Sequence, residues 1–205
     1  MLLHWAYLAA IAAEAMSAAL IAGRRSMDWF GVCVIACITA LGGGTVRDVL
    51  LGHHPLAWIE HPSYLVVTIC AALATGIVAP FMKRLHKAFL ALDALGLVVF
   101  TVIGCNIAVS VQVPFFIVVV IGVITGTFGG VLRDVLCGQV PLLFQKELYA
   151  SISLATGVLY LGAQKLGVGH EVAMIGSMAI GFALRMLAIR YEWNMPKFVY
   201  KEEWD

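Results

Sequence analysis

Residues 43–55 read GGTVRDVLLGHHP, and residues 129–141 read GGVLRDVLCGQVP. Eight of the thirteen aligned positions are identical, and each residue of the first stretch lies 86 residues before its counterpart in the second. Both stretches place an arginine directly before an aspartate inside a long apolar run. A segment that recurs at a fixed distance predicts two structural units of the same kind, so we expect a fold built from an internal repeat.

The composition is typical of a membrane protein. Of the 205 residues, 62% are hydrophobic and 12% are charged, whereas soluble domains are about 45–50% apolar and about 25% charged. A helix needs roughly 20 apolar residues to cross a bilayer. The runs that approach or reach this length are 8–22, 30–51, 65–82, 89–111, 115–132, 150–161 with some extension, and 172–189. The sequence therefore predicts an all-α integral membrane protein with seven transmembrane helices. We expect the first to be retained, because it lacks the basic start and the cleavage site of a signal peptide.

The 86-residue offset relates the first three apolar runs to the next three, and the seventh has no partner. Because three spans are an odd number, the second copy must enter the membrane from the opposite side. This gives an inverted-topology repeat, a design typical of channels and transporters; a duplication kept for folding alone is the alternative. We expect a single transmembrane domain over 1–205. Its parts are repeat 1 at about 1–86, repeat 2 at about 87–170, a seventh helix at about 171–190 and a cytoplasmic tail at 191–205.

Basic residues predict the orientation of the chain. With seven spans, one side of the membrane has only Lys165 in its connections outside the repeated motif. The other side carries Arg24, Arg25, Lys83, Arg84, Lys87, Lys146, Arg190, Lys197 and Lys201. Because cytoplasmic connections are rich in lysine and arginine, the N-terminus is expected outside and the C-terminus in the cytoplasm.

Glycines mark the middle of the second and fifth runs. Gly42, Gly43 and Gly44 lie near the expected midplane of the bilayer, and Gly126, Gly129 and Gly130 correspond to them. One interpretation is a kink that opens the helix backbone toward a water-filled path. The other is close packing, because Gly122, Gly126 and Gly130 follow the small-xxx-small pattern of contacting membrane helices.

Charged side chains accompany these glycines: Arg47, Asp48, Arg133 and Asp134. A charge at this depth is unfavourable by about 2.5–3.5 kcal/mol on insertion scales. Neighbouring positions on a helix do not face each other, so we expect each charge to find water or a partner on another helix. Asp93 is the expected partner of Arg133. Tyr7 stands at the corresponding place near Arg47, which predicts two electrostatically different entrances.

Glu14 adds a carboxylate to the first span, with Ser17 one turn away. It is expected to be a functional group in the membrane or, alternatively, a structural ion pair or a protonated hydrogen-bonding acid. Three histidines, His53, His54 and His61, lie close together in the connection after the second run. They lack the spacing of helical metal ligands. We therefore expect no metal site, and the absence of a nucleophile-base arrangement argues against an enzyme.

Several of these motifs occur together in one known family. GGGTVRD in the second run, GTFGGVLRD in the fifth, Asp93 followed by Gly96 in the fourth, and an unpaired seventh helix resemble the bacterial branch of the trimeric intracellular cation (TRIC) channels. That branch is also known as a family of uncharacterised inner-membrane proteins.

The resemblance implies a homotrimer in the bacterial inner membrane, with one pore per protomer that passes monovalent cations, mainly K⁺. It places kinks at Gly42–Gly44 and Gly126–Gly130 and the two Arg-Asp pairs beside the pore. It implies monovalent cations, K⁺ or Na⁺, as the permeant ions. We further expect membrane lipid as a partner, with no cofactor and no nucleic acid. Two alternatives stay open: a secondary transporter of a small amino acid such as glycine, and a non-transporting scaffold held together by its charges.

Overall fold

The helices described here come from a computed structural model that describes residues 2–81, 85–145 and 148–193. Within these ranges the chain forms nine α-helices and one short 3₁₀ turn, Ala79–Phe81. The helices are α1 (Leu2–Arg24), α2 (Trp29–Leu51), α3 (Ala57–Glu60), α4 (Ser63–Val78), α5 (Leu85–Ser110), α6 (Phe115–Leu136), α7 (Leu142–Gln145), α8 (Tyr149–Lys165) and α9 (His170–Arg190). The predicted cytoplasmic lysines and arginine at 83, 84, 146, 197 and 201, and most of the predicted tail, lie outside the described residues.

Six helices are long and apolar enough to cross a membrane: α1, α2, α4 with the turn that follows it, α5, α6 and α9. This confirms an all-α membrane protein in the described part of the chain. α8 has 17 residues, or about 25 Å at a rise of 1.5 Å per residue, which is shorter than the roughly 30 Å of the hydrocarbon core. The expected number of seven spans therefore stays a prediction.

α5 is the central helix of the bundle. It packs against α1, α6, α8 and α9, and 78% of its most apolar stretch is buried, compared with 22% for α4. The outer helices instead expose large apolar side chains; Phe30 and Phe116 are 78% and 81% exposed. Such a surface is stable against lipid, so the bundle is arranged with its most buried helix in the middle and its apolar surface outward.

α2 and α6 cross at a close contact between two glycines and two backbone carbonyl groups. A Cβ atom added to Gly43 would collide with the carbonyl oxygen of Thr125, and one added to Gly129 would collide with that of Thr39. The two contacts are equivalent, because each residue of one lies 86 positions from its counterpart in the other. Small residues allow this close approach of helices in membranes, so the crossing depends on the absence of both side chains.

Both helices remain α-helical through their glycine motifs, at Gly42–Gly44 in α2 and Gly126–Gly130 in α6. The helix backbone is therefore not opened at these positions in this conformation, because the α-helix is continuous through both motifs. The glycines provide space instead: a Cβ on Gly126 would lie 2.7 Å from the carbonyl oxygen of Leu97. Close packing, the alternative interpretation, describes this conformation, and a kink at these glycines stays a prediction.

The equivalent helices of the two repeats, α2 and α6, also end in the same way. α2 and α6 are followed by Gly52 and Gly138, each with a φ of 64°. This left-handed conformation is favourable for glycine and ends a helix. The next amide in each case donates back to the aspartate carbonyl, His53 N to Asp48 O and Gln139 N to Asp134 O, both at 2.8 Å.

We expect Gly129→Ala to destabilise the protein, because the added methyl group has no space at the crossing and overpacking costs about 1–3 kcal/mol. The midpoint of thermal unfolding of purified protein in detergent measures the effect. Gly162→Ala in α8 is the matched control, since a Cβ there meets no atom within 4 Å and alanine favours a helix over glycine by about 1 kcal/mol. Equal midpoints for the two variants would contradict the packing role of Gly129.

Candidate functional site

The Arg-Asp pair of α2 is a buried ion pair, in which the charge of the arginine is neutralised by that of the aspartate. Arg47 donates from Nε and Nη2 to Asp48 Oδ1, at 2.9 and 2.8 Å, and both side chains are fully buried. The prediction that neighbouring residues would not pair was wrong. Their Cβ atoms do point in different directions, but the three methylene groups of arginine let the guanidinium curl back to the next carboxylate.

The second oxygen of each motif aspartate holds the connection that follows its helix. Asp48 Oδ2 accepts from the backbone amide of Ala57 at 3.0 Å, and Asp134 Oδ2 accepts from that of Leu142 at 3.0 Å. These amides begin the short helices α3 and α7. Each motif aspartate thus joins an arginine inside the bundle to a connection at the membrane boundary.

Arg133 is the centre of a larger cluster. It donates from Nε to Asp134 Oδ1 at 2.8 Å and from Nη1 to Asp93 Oδ1 at 2.8 Å, which confirms the predicted partner on α5. Nη1 also lies 3.2 Å from Ser17 Oγ and 3.8 Å from Glu14 Oε2 on α1. One guanidinium therefore joins α1, α5 and α6.

Glu14 belongs to this cluster and is 2% exposed. Ser17 Oγ donates to Glu14 Oε2 at 3.2 Å and to the Glu14 backbone carbonyl oxygen at 2.9 Å. Gly96 of α5 makes room for the carboxylate, because a Cβ there would collide with Glu14 Oε1. The buried ion-pair interpretation describes its contacts, and a role in the passage of ions stays a prediction.

The two halves differ in charge. Three carboxylates, on Glu14, Asp93 and Asp134, lie within 4 Å of Arg133. Arg47 has one, and Tyr7 lies beside it: a Cβ on Gly44 would be 3.4 Å from Tyr7 Oη and 3.6 Å from Arg47 Nη2. The cluster around Arg133 therefore has an excess of acidic groups, whereas Arg47 has a single carboxylate partner. That the two clusters mark the two entrances of a path stays a prediction.

Sequence reasoning missed Arg185 and Tyr149. Arg185 of α9 is fully buried, and its guanidinium lies 4.8 Å from the centre of the Tyr149 ring. Tyr149 Oη would be 3.2 Å from a Cβ on Gly130, next to Arg133 Nη2 at 3.5 Å. The signal for Arg185 was available, since it is an arginine within an apolar run, as Arg47 and Arg133 are.

The described residues contain no group of three or more His, Cys, Asp or Glu side chains placed to hold a metal ion. Among the buried polar groups, carboxylates pair with guanidinium groups and hydroxyl groups with carboxylates or backbone carbonyls. Arg47 Nη1, Asp93 Oδ2 and Arg133 Nη2 are buried without a hydrogen-bond partner among the described residues. Such an arrangement can attract or exclude ions, and it can hold helices together.

The comparisons with known proteins agree over nearly the whole chain. The chain is 38% identical over 204 residues to the UPF0126 inner membrane protein YadS of Escherichia coli K12, covering 98% of this chain and 99% of the relative. A structure that describes conductance through TRIC cation channels matches with a TM-score of 0.89 and 34% identity, covering 99% and 100% of the two chains. The chain belongs to the bacterial TRIC channel family.

Further matches within the TRIC family support this placement. The TRIC orthologue of Rhodobacter sphaeroides has a TM-score of 0.89 and 30% identity, with 93% of this chain and 98% of that chain covered. A family model described as "Glycine transporter" matches residues 4–80 and 90–165, two stretches whose first residues are 86 apart. The named relatives are channels or membrane proteins, and this TRIC family member is likewise not an enzyme.

We expect Arg133→Met to destabilise this TRIC family member strongly. The variant leaves three buried carboxylates without their cation, and removal of one partner from a buried ion pair costs about 3–5 kcal/mol. Thermal unfolding and the fraction of folded protein after size-exclusion chromatography measure the effect.

Arg190→Met, an exposed arginine of α9, changes the net charge equally and is expected to have little effect. Addition of Asp93→Asn to Arg133→Met should restore part of the lost stability, because one uncompensated charge is removed. Wild-type stability of Arg133→Met alone would show that the cluster does not hold the three helices together.

Proposed function

We propose that the chain is a homotrimeric channel for monovalent cations, mainly K⁺, with a separate path in each protomer. The observation that carries this proposal is the excess of carboxylates around Arg133 within a fold that matches TRIC cation channels over nearly its full length. Acidic groups that line or border a pore favour cations over anions. The arginine then acts as the group that holds these carboxylates in place.

We infer seven membrane spans in two inverted repeats plus α9, although α8 is short. Its first residue lies beside the later half of α6, through Tyr149 and Gly130. Its last residue lies beside the start of α6, where Lys165 Nζ is 4.5 Å from the centre of the Phe115 ring. α8 therefore runs antiparallel along most of α6, which supports a crossing of the membrane. α9 then returns to the side where α1 ends.

The contacts at the helix ends support an alternating topology. Arg25, after α1, donates to the carbonyl oxygen of Gly138, after α6, at 3.1 Å, so these two helices end on the same side. On the opposite side, Leu3 at the start of α1 and Ile107 near the end of α5 line one cavity. We propose that the side of Arg25 is the cytoplasmic side of the inner membrane and that the N-terminus is outside.

We propose the crossing of α2 and α6 as the gate of the cation path. The contacts of Gly43 with Thr125 and of Gly129 with Thr39 leave no room for a methyl group, so this conformation is closed there. Movement of the two helices apart, with a bend at their glycines, would open it. The pairs at Arg47 and Arg133 lie beyond the crossing in either direction along the helices and would brace the two ends of the path.

Reversal potentials of the purified protein in planar bilayers test the proposal. Gradients of K⁺ and Na⁺ should shift the reversal potential toward the cation equilibrium potential, and a gradient of Cl⁻ should not. Glu14→Gln is expected to reduce this cation preference, because it removes one charge from the acidic excess near Arg133.

The matched control is Glu171→Gln at the exposed start of α9, which should keep the wild-type preference. A reversal potential that follows Cl⁻ would contradict the cation channel. An equal loss of preference in the two variants would show that Glu14 acts only through the net charge of the protein.

A second candidate function is the transport of a small amino acid such as glycine, which the description of the matching family model favours. It predicts saturable uptake of labelled glycine into proteoliposomes, with no unitary currents under the same conditions. Currents without uptake would support the channel. If folded, trimeric protein shows neither currents nor glycine uptake, the remaining alternative is a scaffold held together by its buried charges.

A further inference from the structure

Polar atoms from three helices surround a small space beside Gly130 of α6. A Cβ atom added to Gly130 would lie 3.2 Å from Tyr149 Oη on α8, 3.5 Å from Arg133 Nη2 on α6 and 3.8 Å from Asp93 Oδ1 on α5. Apart from the adjoining residues and backbone of α6, no atom comes closer. At Gly129, one residue earlier, a Cβ would collide with the carbonyl oxygen of Thr39. The space is therefore local to Gly130 and is about the size of a methyl group.

Each of the three surrounding groups has a polar atom that lacks a partner. Arg133 Nη2, Tyr149 Oη and Asp93 Oδ2 are buried and make no hydrogen bond with any described residue. Arg133 and Asp93 are fully buried, and Tyr149 is 3% exposed. Burial of a polar atom without a partner is unfavourable, and here three such atoms belong to groups that border one space. The arrangement favours a ligand that bonds to all of them.

The three groups define the chemistry of this ligand. It must accept a hydrogen bond from the Arg133 guanidinium, donate one to the Asp93 carboxylate, and bond to the Tyr149 hydroxyl, which donates or accepts. A cation would meet the charge of Arg133, and an anion would meet that of Asp93. Water is neutral, both donates and accepts, and typically makes about three hydrogen bonds where it is buried in proteins.

The dimensions of the space agree with a water molecule. A Cβ is covalently bonded to the Gly130 Cα, whereas a bound oxygen atom lies farther from it. This displacement moves the oxygen toward the three polar groups, which lie 3.2–3.8 Å from the Cβ position. The distances then shorten toward the 2.7–3.2 Å that are typical of hydrogen bonds.

The first repeat does not offer the same set of groups. Gly44 is the counterpart of Gly130, and a Cβ there would lie 3.4 Å from Tyr7 Oη and 3.6 Å from Arg47 Nη2. Arg47 Nη2 already donates to Asp48 Oδ1 at 2.8 Å, and the Tyr7 hydroxyl interacts with Arg47. The equivalent groups are thus already paired, so we expect this ligand only in the second repeat.

We propose that one ordered water molecule binds beside Gly130, where it accepts from Arg133 Nη2 and Tyr149 Oη and donates to Asp93 Oδ2. The water connects the start of α8 to the ion pair that joins α5 and α6. It therefore completes the Arg133 cluster and adds a fourth helix to it. The site requires neither ion flux nor a transported substrate, so it goes beyond the functions proposed above.

Radical labelling of the purified protein tests the proposal. Brief X-ray exposure generates hydroxyl radicals from bound water, and these oxidise the side chains beside it. Tyr149 should be oxidised severalfold faster than Tyr160, as measured by mass spectrometry. Tyr160 is the matched control because it is fully buried and its hydroxyl bonds directly to the side chains of Asn106 and Gln164. Equal oxidation of the two tyrosines in the wild-type protein would overturn the water site.

Gly130→Ala places a methyl group in the proposed position of the water. Oxidation of Tyr149 should then fall to the level of Tyr160, whereas the control Gly162→Ala, where a Cβ meets no atom within 4 Å, should keep the wild-type pattern. Unchanged oxidation of Tyr149 in folded Gly130→Ala would also overturn the proposal. If this variant does not fold, the comparison of the two tyrosines in the wild-type protein decides.

A double-mutant cycle tests whether Gly130 and Tyr149 act through the same water. Gly130→Ala displaces the water and Tyr149→Phe removes one of its partners, so each should lower the midpoint of thermal unfolding. Together they should lower it by less than the sum of the two shifts, because the water is lost only once. Additive shifts would contradict a shared water. Neither measurement depends on currents, so failure of the water site leaves the channel proposal untouched, and absence of currents leaves the water site untouched.

Discussion

A guanidinium group buried in an apolar bundle must be paired, and the rest of this structure is arranged to satisfy that requirement. Transfer of a lone charge into the membrane interior is unfavourable by several kcal/mol. The chain places an aspartate directly after each motif arginine, and each arginine side chain folds back to reach it. The second aspartate oxygen then accepts from the backbone of the following connection. A local ion pair thus stabilises both the end of a helix and the connection that follows it.

The glycine contacts between α2 and α6 complement these ion pairs. Close approach at Gly43 and Gly129 fixes how the two halves cross, and the arginines lie about one turn further along each helix. The crossing is tight and the ion pairs are buried, so the two helices and their charged groups hold each other in place. Opening at the proposed gate would require a movement that separates the helices while their charged groups keep their partners.

Much of this arrangement could be predicted from the sequence because repetition and hydropathy are properties of the chain alone. The apolar runs located each long helix, with ends within about four residues except for the start of α1, which lies six residues earlier than predicted. The depth of Asp93 and Arg133 in neighbouring runs predicted their pairing. The contact of Glu14 with Arg133 could not be predicted, because it depends on how α1 is rotated about its axis. The short helices α3 and α7 were missed, since four residues are too few to show a periodic pattern. The expectation that Arg47 and Asp48 would each find water or a partner on another helix was wrong, because it considered the Cβ directions and ignored the length of the arginine side chain.

The different partners of the two arginines have a consequence for biosynthesis. Arg47 and Asp48 are neighbours in the chain, so the first half enters the bilayer with its ion pair already available. Glu14 and Asp93 are synthesised before Arg133. Their carboxylates in α1 and α5 therefore have no guanidinium partner until α6 is inserted. Insertion of α6 is thus the step that neutralises the buried acids of two earlier helices and locks them together.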